Sequence, residues 1–367
     1  MKKKILVSTG GGDCPGLNAV IRGIFKAAKK SKEWEVWGCM EALNGIDATP
    51  PEIIKLTPKR TAGIHVKGGT ILKTSNSANP LAYPVLQPDG KIIRIDRTQE
   101  IADKIKELGF HALINIGGDG SQTISQALHE KGLNVIGVPK TIDNDLSATD
   151  LTFGFTTAVQ IATDCFDKLV TTAESHHRVM IMEVMGRDAG WIALHTAVAG
   201  GAEICLIPEI PYDIEKIVER INKRFKKGRG FVNIVISEGA KPRGGEVVAT
   251  LAADPKDEHM KLGGICNALR YQLEKHKNMP KVQVRSTILG HIQRGGTPMA
   301  FDRILATAMG VKAFELVKAG DFGKMVSFQS NEITSVPIKE AIAEYNYVSK
   351  DHYLVHVARS IGISFGD

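Results

Sequence analysis

Residues 4–30 read KILVSTGGGDCPGLNAVIRGIFKAAKK, and this stretch indicates the class of fold. Its apolar run at 4–9 predicts a buried β-strand. Glycines follow, and a helix is predicted from about Leu17 to Lys30. A strand that leads through a glycine-rich turn into a helix is the repeating unit of α/β proteins, in which parallel sheets carry helices on both faces.

Length and composition are those of a globular protein. The 367 residues predict two lobes, because single domains usually have about 100–200 residues. Hydrophobic residues make up 43% and charged residues 24%, as is ordinary for a soluble protein. No apolar run reaches the ~18 residues of a membrane-spanning helix, and the N-terminal apolar run is too short for a signal peptide. We therefore expect no membrane partner.

The net charge of +7 raises the question of anionic partners. The basic residues are spread along the chain, and the densest internal run is Lys223, Arg224, Lys226, Lys227 and Arg229. We interpret this run as the solvated end of a helix and expect no nucleic-acid partner. The five cysteines have neither metal-binding nor redox spacing, which predicts reduced thiols in a cytoplasmic protein.

The alternation of strand and helix recurs along the chain. Further strands are predicted at 112–116, 135–138, 178–184, 204–207, 231–237 and 282–289, and further helices from about 122, at 214–225 and near 301–317. We expect the last helix to return to the first lobe. Almost every polar, glycine-bearing motif directly follows a strand. Since ligands of open α/β sheets bind at the carboxyl ends of the strands, the motifs predict a site there.

Two glycine-rich turns are candidate phosphate-binding loops. The first, 10–13, follows the first strand, and the second, 117–121, follows the strand at 112–116. Glycines let backbone N–H groups approach phosphate oxygens, and a helix N-terminus favours negative charge. The second turn contains Asp119, a candidate ligand of Mg²⁺, directly or through water. Ligand-free turns, with Asp119 bonded to its own backbone, are the alternative.

The most informative stretch is TIDND at 141–145, preceded by Lys140. Phosphoryl transfer needs a general base to take the proton of the attacking hydroxyl, and a carboxylate is the usual choice. Acidic groups clustered beside a phosphate site are costly unless they bind metal or move protons. The alternative is that Asp143 and Asp145 only cap a helix.

A basic cluster is predicted in the second half of the chain. Its members are Arg178, Arg187, Arg285, His291 and Arg294. Arginine forks match phosphate oxygens in a bidentate way, although each of them alone is also compatible with a surface ion pair. Glu238 ends another strand, where it is placed to accept hydrogen bonds from sugar hydroxyls or to act as an ordinary surface carboxylate.

Together these motifs resemble the ATP/pyrophosphate phosphofructokinase family. In chain order they are GGDCPGLNAVIRG (11–23), GGT (68–70), GGDGS (117–121), PKTIDND (139–145), SHHR (175–178), MGR (185–187), SEG (237–239) and RSTILGHIQRGG (285–296). The match runs across nearly the whole chain, and PKTIDND followed by MGR and GHIQRGG is highly specific. NAD kinases and lipid kinases also carry GGDG but lack that succession.

The resemblance implies a fold and an activity. The fold is α/β, with two Rossmann-like three-layer lobes, mainly parallel sheets and the active site in the cleft between the lobes. Residues 1–153 and about 293–345 would form the donor-binding lobe, and about 154–292 with the C-terminal segment the sugar-phosphate lobe. The activity is phosphorylation of fructose 6-phosphate at its 1-hydroxyl to fructose 1,6-bisphosphate in glycolysis. Mg²⁺ would be the cofactor and a homodimer or homotetramer the assembly.

The resemblance also assigns roles to residues at matching positions. Asp143 would be the base, with Lys140 and Arg187 as further catalytic residues. The donor phosphates would be held by Gly12, Gly118, Asp119, Gly120 and Ser121, and Asp119 would also serve the metal. The sugar and its phosphate would be held by Thr141, Ile142, Asp143, Arg178, Met185, Gly186, Arg187, Glu238, Arg285, His291, Ile292, Gln293 and Arg294. Arg178 and Arg285 resemble the pair that a neighbouring subunit contributes.

Two residues give opposite indications about the phosphoryl donor. In the family, glycine at the position of Gly120 leaves room for a nucleotide, whereas aspartate goes with pyrophosphate. Lys140 is typical of pyrophosphate enzymes, and the combination with Gly120 resembles a mixed group in which ATP use is common. We therefore expect ATP, with a pyrophosphate-dependent phosphotransferase as the alternative. Because Asn76 takes the place of an arginine in bacterial ATP enzymes, a catalytically weak regulatory homologue is a further alternative.

Overall fold

The computed structural model describes residues 2–76, 79–226, 228, 230–250 and 261–367. Within them the strands are β1 (Lys3–Thr9), β2 (Trp34–Cys39), β3 (Ile53–Lys55), β4 (Tyr83–Leu86), β5 (Ile92–Ile95), β6 (Phe110–Gly117), β7 (Val135–Thr141), β8 (Phe153–Gly154), β9 (Val179–Val184), β10 (Ile204–Leu206), β11 (Val232–Ser237), β12 (Ala249–Thr250), β13 (Lys261–Leu262), β14 (Val284–Ile288), β15 (Lys324–Gln329) and β16 (Glu332–Pro337). The helices are α1 (Leu17–Ser31), α2 (Asn44–Asp47), α3 (Thr98–Glu107), α4 (Asp119–Glu130), α5 (Phe155–His176), α6 (Trp191–Gly200), α7 (Ile214–Lys226), α8 (Ile265–Lys275), α9 (Ala300–Ala319), α10 (Ile338–Ala341) and α11 (Tyr353–Ser360).

The strands and helices predicted from the sequence are confirmed, with shifted ends. The largest shifts are in β7, which continues to Thr141, and in α4, which begins at Asp119 rather than near Gln122. β7 is longer because its last two residues pair with β8. α4 begins earlier because Gly118 is its N-cap and Asp119 places a carboxylate in its first turn. The predicted basic helix end is the last turn of α7, although Lys227 and Arg229 lie outside the described residues.

The chain divides into two compact units. Within the described residues, unit 1 comprises 2–156 and 294–345, and unit 2 comprises 157–250, 261–293 and 346–367. The first boundary follows residue 156, since β8 pairs with β7 in unit 1. Helix α9 belongs to unit 1, so neither unit is contiguous in the chain.

The sheet of unit 1 brings three predicted motifs to one edge. Its strand order is β16-β15-β7-β6-β1-β2-β3, with β8 paired to β7. β7, β6, β1 and β2 run parallel, and the outermost strands β3 and β16 are antiparallel to their neighbours. β1, β6 and β7 are adjacent, so the loops that follow them meet at their shared carboxyl edge.

Unit 2 is built on a smaller parallel sheet. Its order is β10-β11-β9-β14, and every pairing in it is parallel. β9 and β11 are buried at every residue, as expected for strands with helices on both faces. The α/β class with mainly parallel sheets, predicted from the sequence, is confirmed. Among the described residues, no helix combines the length and apolarity needed to cross a membrane.

An ion-pair network in unit 1 joins α2 to α3. Arg97 donates to both carboxylate oxygens of Asp47, at 2.6 and 2.7 Å, and also binds Glu100. Lys104 Nζ lies 2.8 Å from Asp47 Oδ1. The hydrogen bond from Arg97 is the main cause that lowers the pKa of Asp47 to about 2 from its ordinary 3.8.

We expect Asp47→Asn to lower the free energy of unfolding by about 1–2 kcal/mol near neutral pH. Because the folded-state pKa of Asp47 is lowered, its stabilisation is fully present above its ordinary pKa of 3.8 and is lost as the pH falls through about 2. The difference between variant and wild type in urea midpoint should therefore shrink over that window. Asp89→Asn is the control, since the Asp89 side chain is 56% exposed. Equal losses in both variants would contradict the expectation.

Candidate active site

The first glycine-rich turn of unit 1 follows β1 and is held by the segment at residues 74–75. Gly11 has φ +75°, a left-handed conformation that favours glycine. Its N–H donates to the carbonyl of Ser75 at 3.2 Å, and its own carbonyl accepts from Thr74 Oγ1 at 2.5 Å. The guanidinium of Arg294 faces Gly12, where an added Cβ atom would lie 2.5 Å from Nη1. The turn is therefore a fixed backbone surface with a cation against it.

The second turn follows β6 and lies against the first. A Cβ atom at Gly10 would lie 2.8 Å from Ser121 Oγ, so the two turns are in close contact. Asp119 occupies the first turn of α4, whose N-terminus carries a partial positive charge. A Cβ atom added at Gly120 would meet nothing within 4 Å. The backbone does not require glycine at position 120, and the space beside it is open.

Lys140 connects the first turn to β7. Its side chain is 5% exposed, and Nζ donates to the carbonyl of Gly12 at 2.5 Å. Burial lowers the pKa of Lys140, whereas the negative charges of Asp143 and Asp145 raise it. These two carboxylates thus favour the ammonium form that burial disfavours.

The TIDND segment, which begins at the last residue of β7, is buried and is held by side-chain hydrogen bonds. Asp143 is 6% exposed, and its backbone N–H donates to Thr141 Oγ1 at 3.0 Å. Asn144 has φ +55°, and its Oδ1 accepts the backbone N–H of Thr152 at 3.0 Å. Asn144 thus holds the bend from within, and Asp143 and Asp145 are presented on either side of it.

One carboxylate of this edge acts on another. Partial burial, and after it the negative charge of Asp145, raise the pKa of Asp119. Asp145 is 7% exposed, and its Oδ1 is buried without a hydrogen-bond partner among the described residues. A buried anionic oxygen in this situation is costly unless a cation meets it. Both residues therefore fit a divalent cation.

The structure shows no protein-only metal cage at this edge. Among the described residues, no group of three or more His, Cys, Asp or Glu side chains is arranged to hold a metal ion. Mg²⁺ usually binds through one or two carboxylates, with waters and substrate phosphates as the other ligands. The donor set of Asp119 and Asp145 has the composition of such a site.

In unit 2, the loop after β9 carries the predicted sugar contacts. Arg187 has φ +49°, a strained conformation for a residue with a side chain. Its N–H donates to Glu238 Oε1 at 3.2 Å, so a residue that follows β11 fixes this conformation. The N–H of Met185 donates to Gln293 Oε1 at 2.8 Å. The loop is therefore held in shape at two points.

The structure separates the predicted basic cluster into groups. His291 and the 63% exposed Ile292 follow β14 at the carboxyl edge of the unit 2 sheet, whereas Arg294 belongs to unit 1. Arg178 directly precedes β9, and Arg285 pairs with the second residue of β9. Both therefore lie at the amino edge of this sheet, as the pair that the resemblance assigns to a neighbouring subunit. Position near a strand end does not by itself distinguish the amino edge from the carboxyl edge.

The two arginines at the amino edge share one partner. Arg178 Nε donates to Gln283 Oε1 at 3.0 Å, and Arg285 Nη2 donates to the same oxygen at 3.2 Å. Gln293, predicted to bind sugar phosphate, is fully buried, and its amide oxygen already accepts from Met185. Gln293 therefore lies in the interior of unit 2, where its amide supports the loop after β9.

Three residues that position the site were missed from the sequence. Asn18 is 2% exposed and binds the backbone of Lys67, Gly68 and Ile71, which fixes the GGT segment. Glu209 accepts the N–H of Gly190 at 2.9 Å at the end of the Arg187 loop. The hydroxyl of Tyr345 binds Asp145. The position of Asn18 at the start of α1 was a usable signal, whereas Glu209 and Tyr345 are distant in sequence from the motifs they support.

Comparisons with known proteins identify close relatives. A family profile described as phosphofructokinase matches residues 4–317. The chain is 48% identical over 365 residues to ATP-dependent 6-phosphofructokinase 2 of Clostridium perfringens, covering 100% of this chain and 99% of that protein. It is 43% identical over 364 residues to the pyrophosphate–fructose 6-phosphate 1-phosphotransferase of Streptomyces coelicolor, covering 99% of this chain and 100% of that protein.

Among solved structures, the chain is similar to phosphofructokinase from Pichia pastoris in the T-state. The TM-score is 0.76 at 27% identity, over 98% of this chain. This chain spans 36% of the length of the Pichia chain. The similarity supports the two-lobe fold implied by the motifs.

Proposed function

The chain belongs to the phosphofructokinase family, and from this we propose that it transfers a phosphoryl group from ATP to the 1-hydroxyl of fructose 6-phosphate. The proposed setting is cytoplasmic glycolysis. The five cysteines, all described and all free thiols, are in keeping with that compartment. One observation carries the chemistry. Two glycine-rich turns, a buried lysine and three carboxylates meet at the carboxyl edge of β1, β6 and β7.

Proton removal is assigned to Asp143. Its loop is fixed by Thr141 and Asn144, so the carboxylate needs little reorganisation when it accepts the proton of the attacking hydroxyl. Lys140 is a cation at this edge, and the backbone N–H groups of the two turns carry partial positive charge. They stabilise the negative charge that develops on the transferring phosphoryl group.

Asp119 and Asp145 are the residues that would hold Mg²⁺. The ion, when bound, neutralises donor phosphate charge and thereby favours transfer. The protein contributes the placement of the two carboxylates: Asp119 lies in the first turn of α4, and Asp145 directly follows the bend at Asn144.

Unit 2 is proposed to hold the sugar and its phosphate. Arg187 and Glu238 lie on the loops after β9 and β11, and His291 follows β14. Ile292 is exposed beside His291. Arg178 and Arg285 lie at the other edge of this sheet, which supports the proposal that they serve the site of a neighbouring subunit in a homodimer or homotetramer.

ATP is proposed as the donor because the space beside Gly120 is open. A specific observation favours the second candidate, pyrophosphate. Lys140, the residue typical of pyrophosphate enzymes, binds the carbonyl of Gly12 in the first glycine-rich turn. Both donors are represented among the relatives' names.

Initial rates of fructose 1,6-bisphosphate formation with Mg²⁺ test the proposal. ATP and pyrophosphate are compared at matched concentrations, and we expect the rate with ATP to be at least about tenfold higher. A preference for pyrophosphate would transfer the donor assignment to the second candidate. Tight binding of fructose 6-phosphate without turnover from either donor would indicate a regulatory homologue instead.

A further inference from the structure

Tyr345 makes a side-chain contact at the candidate active site that no sequence motif indicates. Its hydroxyl donates a hydrogen bond to Asp145 Oδ2, and the two oxygens lie 2.5 Å apart. A hydroxyl bound to a carboxylate at this distance is a charge-assisted hydrogen bond, which is stronger and more directional than a neutral one. The two residues are 200 positions apart in sequence, and both belong to unit 1.

Backbone pairing places this hydroxyl next to Asp145. Tyr345 forms an isolated antiparallel bridge with Leu146, the residue that follows Asp145. Leu146 is 1% exposed, so the pairing is anchored in the interior of unit 1. The hydroxyl and the carboxylate therefore project from two paired backbone segments, and this pairing limits their motion relative to each other.

The hydrogen bond leaves one oxygen of Asp145 available. Oδ1 is buried and has no hydrogen-bond partner among the described residues, while Oδ2 is engaged by Tyr345. Partial burial raises the pKa of Asp119, and the negative charge of Asp145 raises it further. The same charge opposes the burial that lowers the pKa of Lys140. Asp145 is thus the carboxylate common to the metal-binding candidates and the buried lysine, and its orientation affects both.

We propose that Tyr345 is a positioning residue that fixes the carboxylate of Asp145, so that Oδ1 is presented to the divalent cation of the proposed phosphoryl transfer. The inference rests on that proposed function. Hydrogen bonds to the free end of a metal-binding side chain set its orientation, and their loss typically costs about 10–100-fold in metal affinity or activity. Without the hydroxyl, the carboxylate of Asp145 is free to rotate, and its oxygens no longer have distinct roles.

The experiment compares Tyr345→Phe with Tyr347→Phe in the full-length protein. Both changes remove one hydroxyl, and Tyr347 lies two residues further along with its side chain 54% exposed. Mn²⁺ is the probe, and its binding in the presence of ADP is followed by electron paramagnetic resonance. We expect Tyr345→Phe to weaken Mn²⁺ binding by about tenfold or more, and Tyr347→Phe to bind as the wild type does.

Kinetic measurements on the same proteins distinguish a positioning role of Tyr345 from a general loss of stability. For Tyr345→Phe we expect lower kcat and a higher Mg²⁺ requirement, with KM for fructose 6-phosphate and the melting midpoint close to those of the wild type. Unchanged Mn²⁺ binding in this variant would overturn the inference, as would a loss matched by Tyr347→Phe or by a lowered melting midpoint. Absence of fructose 6-phosphate turnover in the wild type would instead refute the proposed function, because the Mn²⁺ comparison is made without that substrate.

Discussion

Asp143→Ser should lower kcat by a factor on the order of 10²–10⁴, with the affinity for fructose 6-phosphate nearly intact. The serine hydroxyl cannot accept the proton of the attacking hydroxyl near neutral pH, whereas a carboxylate can. The loop itself should persist, because Thr141 Oγ1 binds the backbone N–H of residue 143, which the substitution keeps. Steady-state rates with ATP and calorimetric titration with fructose 6-phosphate measure the two quantities separately.

Asp143→Asn provides the matched control for shape. Asparagine has nearly the size of aspartate and can accept a hydrogen bond, but it is not basic. If the role of Asp143 is proton removal, both variants should lose turnover to a similar extent. A kcat close to that of the wild type in either variant would exclude Asp143 as the base. A parallel loss of sugar binding and melting midpoint would indicate a structural role.

The gathering of three motifs at one edge of the unit 1 sheet could be predicted because each motif is local in sequence. Each of the three directly follows an apolar strand, and carboxyl ends of parallel strands share an edge. The sequence could not show that β1, β6 and β7 are adjacent, but any doubly wound order keeps such motifs on one edge. The glycine-rich turns, Asp119 and TIDND could therefore be predicted to share an edge without knowledge of the strand order.

The supporting contacts could not be predicted in this way. Tyr345 reaches Asp145 through a single bridge, and Glu209 reaches Gly190 through a side chain; neither leaves a periodic signal in the sequence. Arg178 and Arg285 carry the same charge as Arg187, and charge alone does not tell the amino edge of a sheet from its carboxyl edge. Gln293 lies within the motif RSTILGHIQRGG, yet its amide oxygen accepts the backbone N–H of Met185 inside unit 2.

Gly120→Asp should lower kcat/KM for ATP by about 10²–10³-fold, because like charges brought together at a binding site cost several kcal/mol. The fold should tolerate the change. A Cβ atom at this position meets nothing within 4 Å, and a carboxylate in the first turn of α4 is favourable for the helix. The melting midpoint is therefore expected to stay the same or to rise slightly. A loss of kcat/KM at unchanged stability would then reflect impaired interaction with the donor.

Gly120→Asn separates the charge of the new side chain from its size. Asparagine fills the same space without a negative charge, so a loss confined to Gly120→Asp would be electrostatic, and a loss shared by both variants would be steric. For each variant, kcat/KM is also measured with pyrophosphate and compared with the value for ATP. Since pyrophosphate is smaller than ATP and lacks the nucleoside, its use should fall less in either variant. If Gly120→Asp kept full activity with ATP, the second glycine-rich turn would not face the donor, and the roles proposed for Gly118, Asp119 and Ser121 would fail with it.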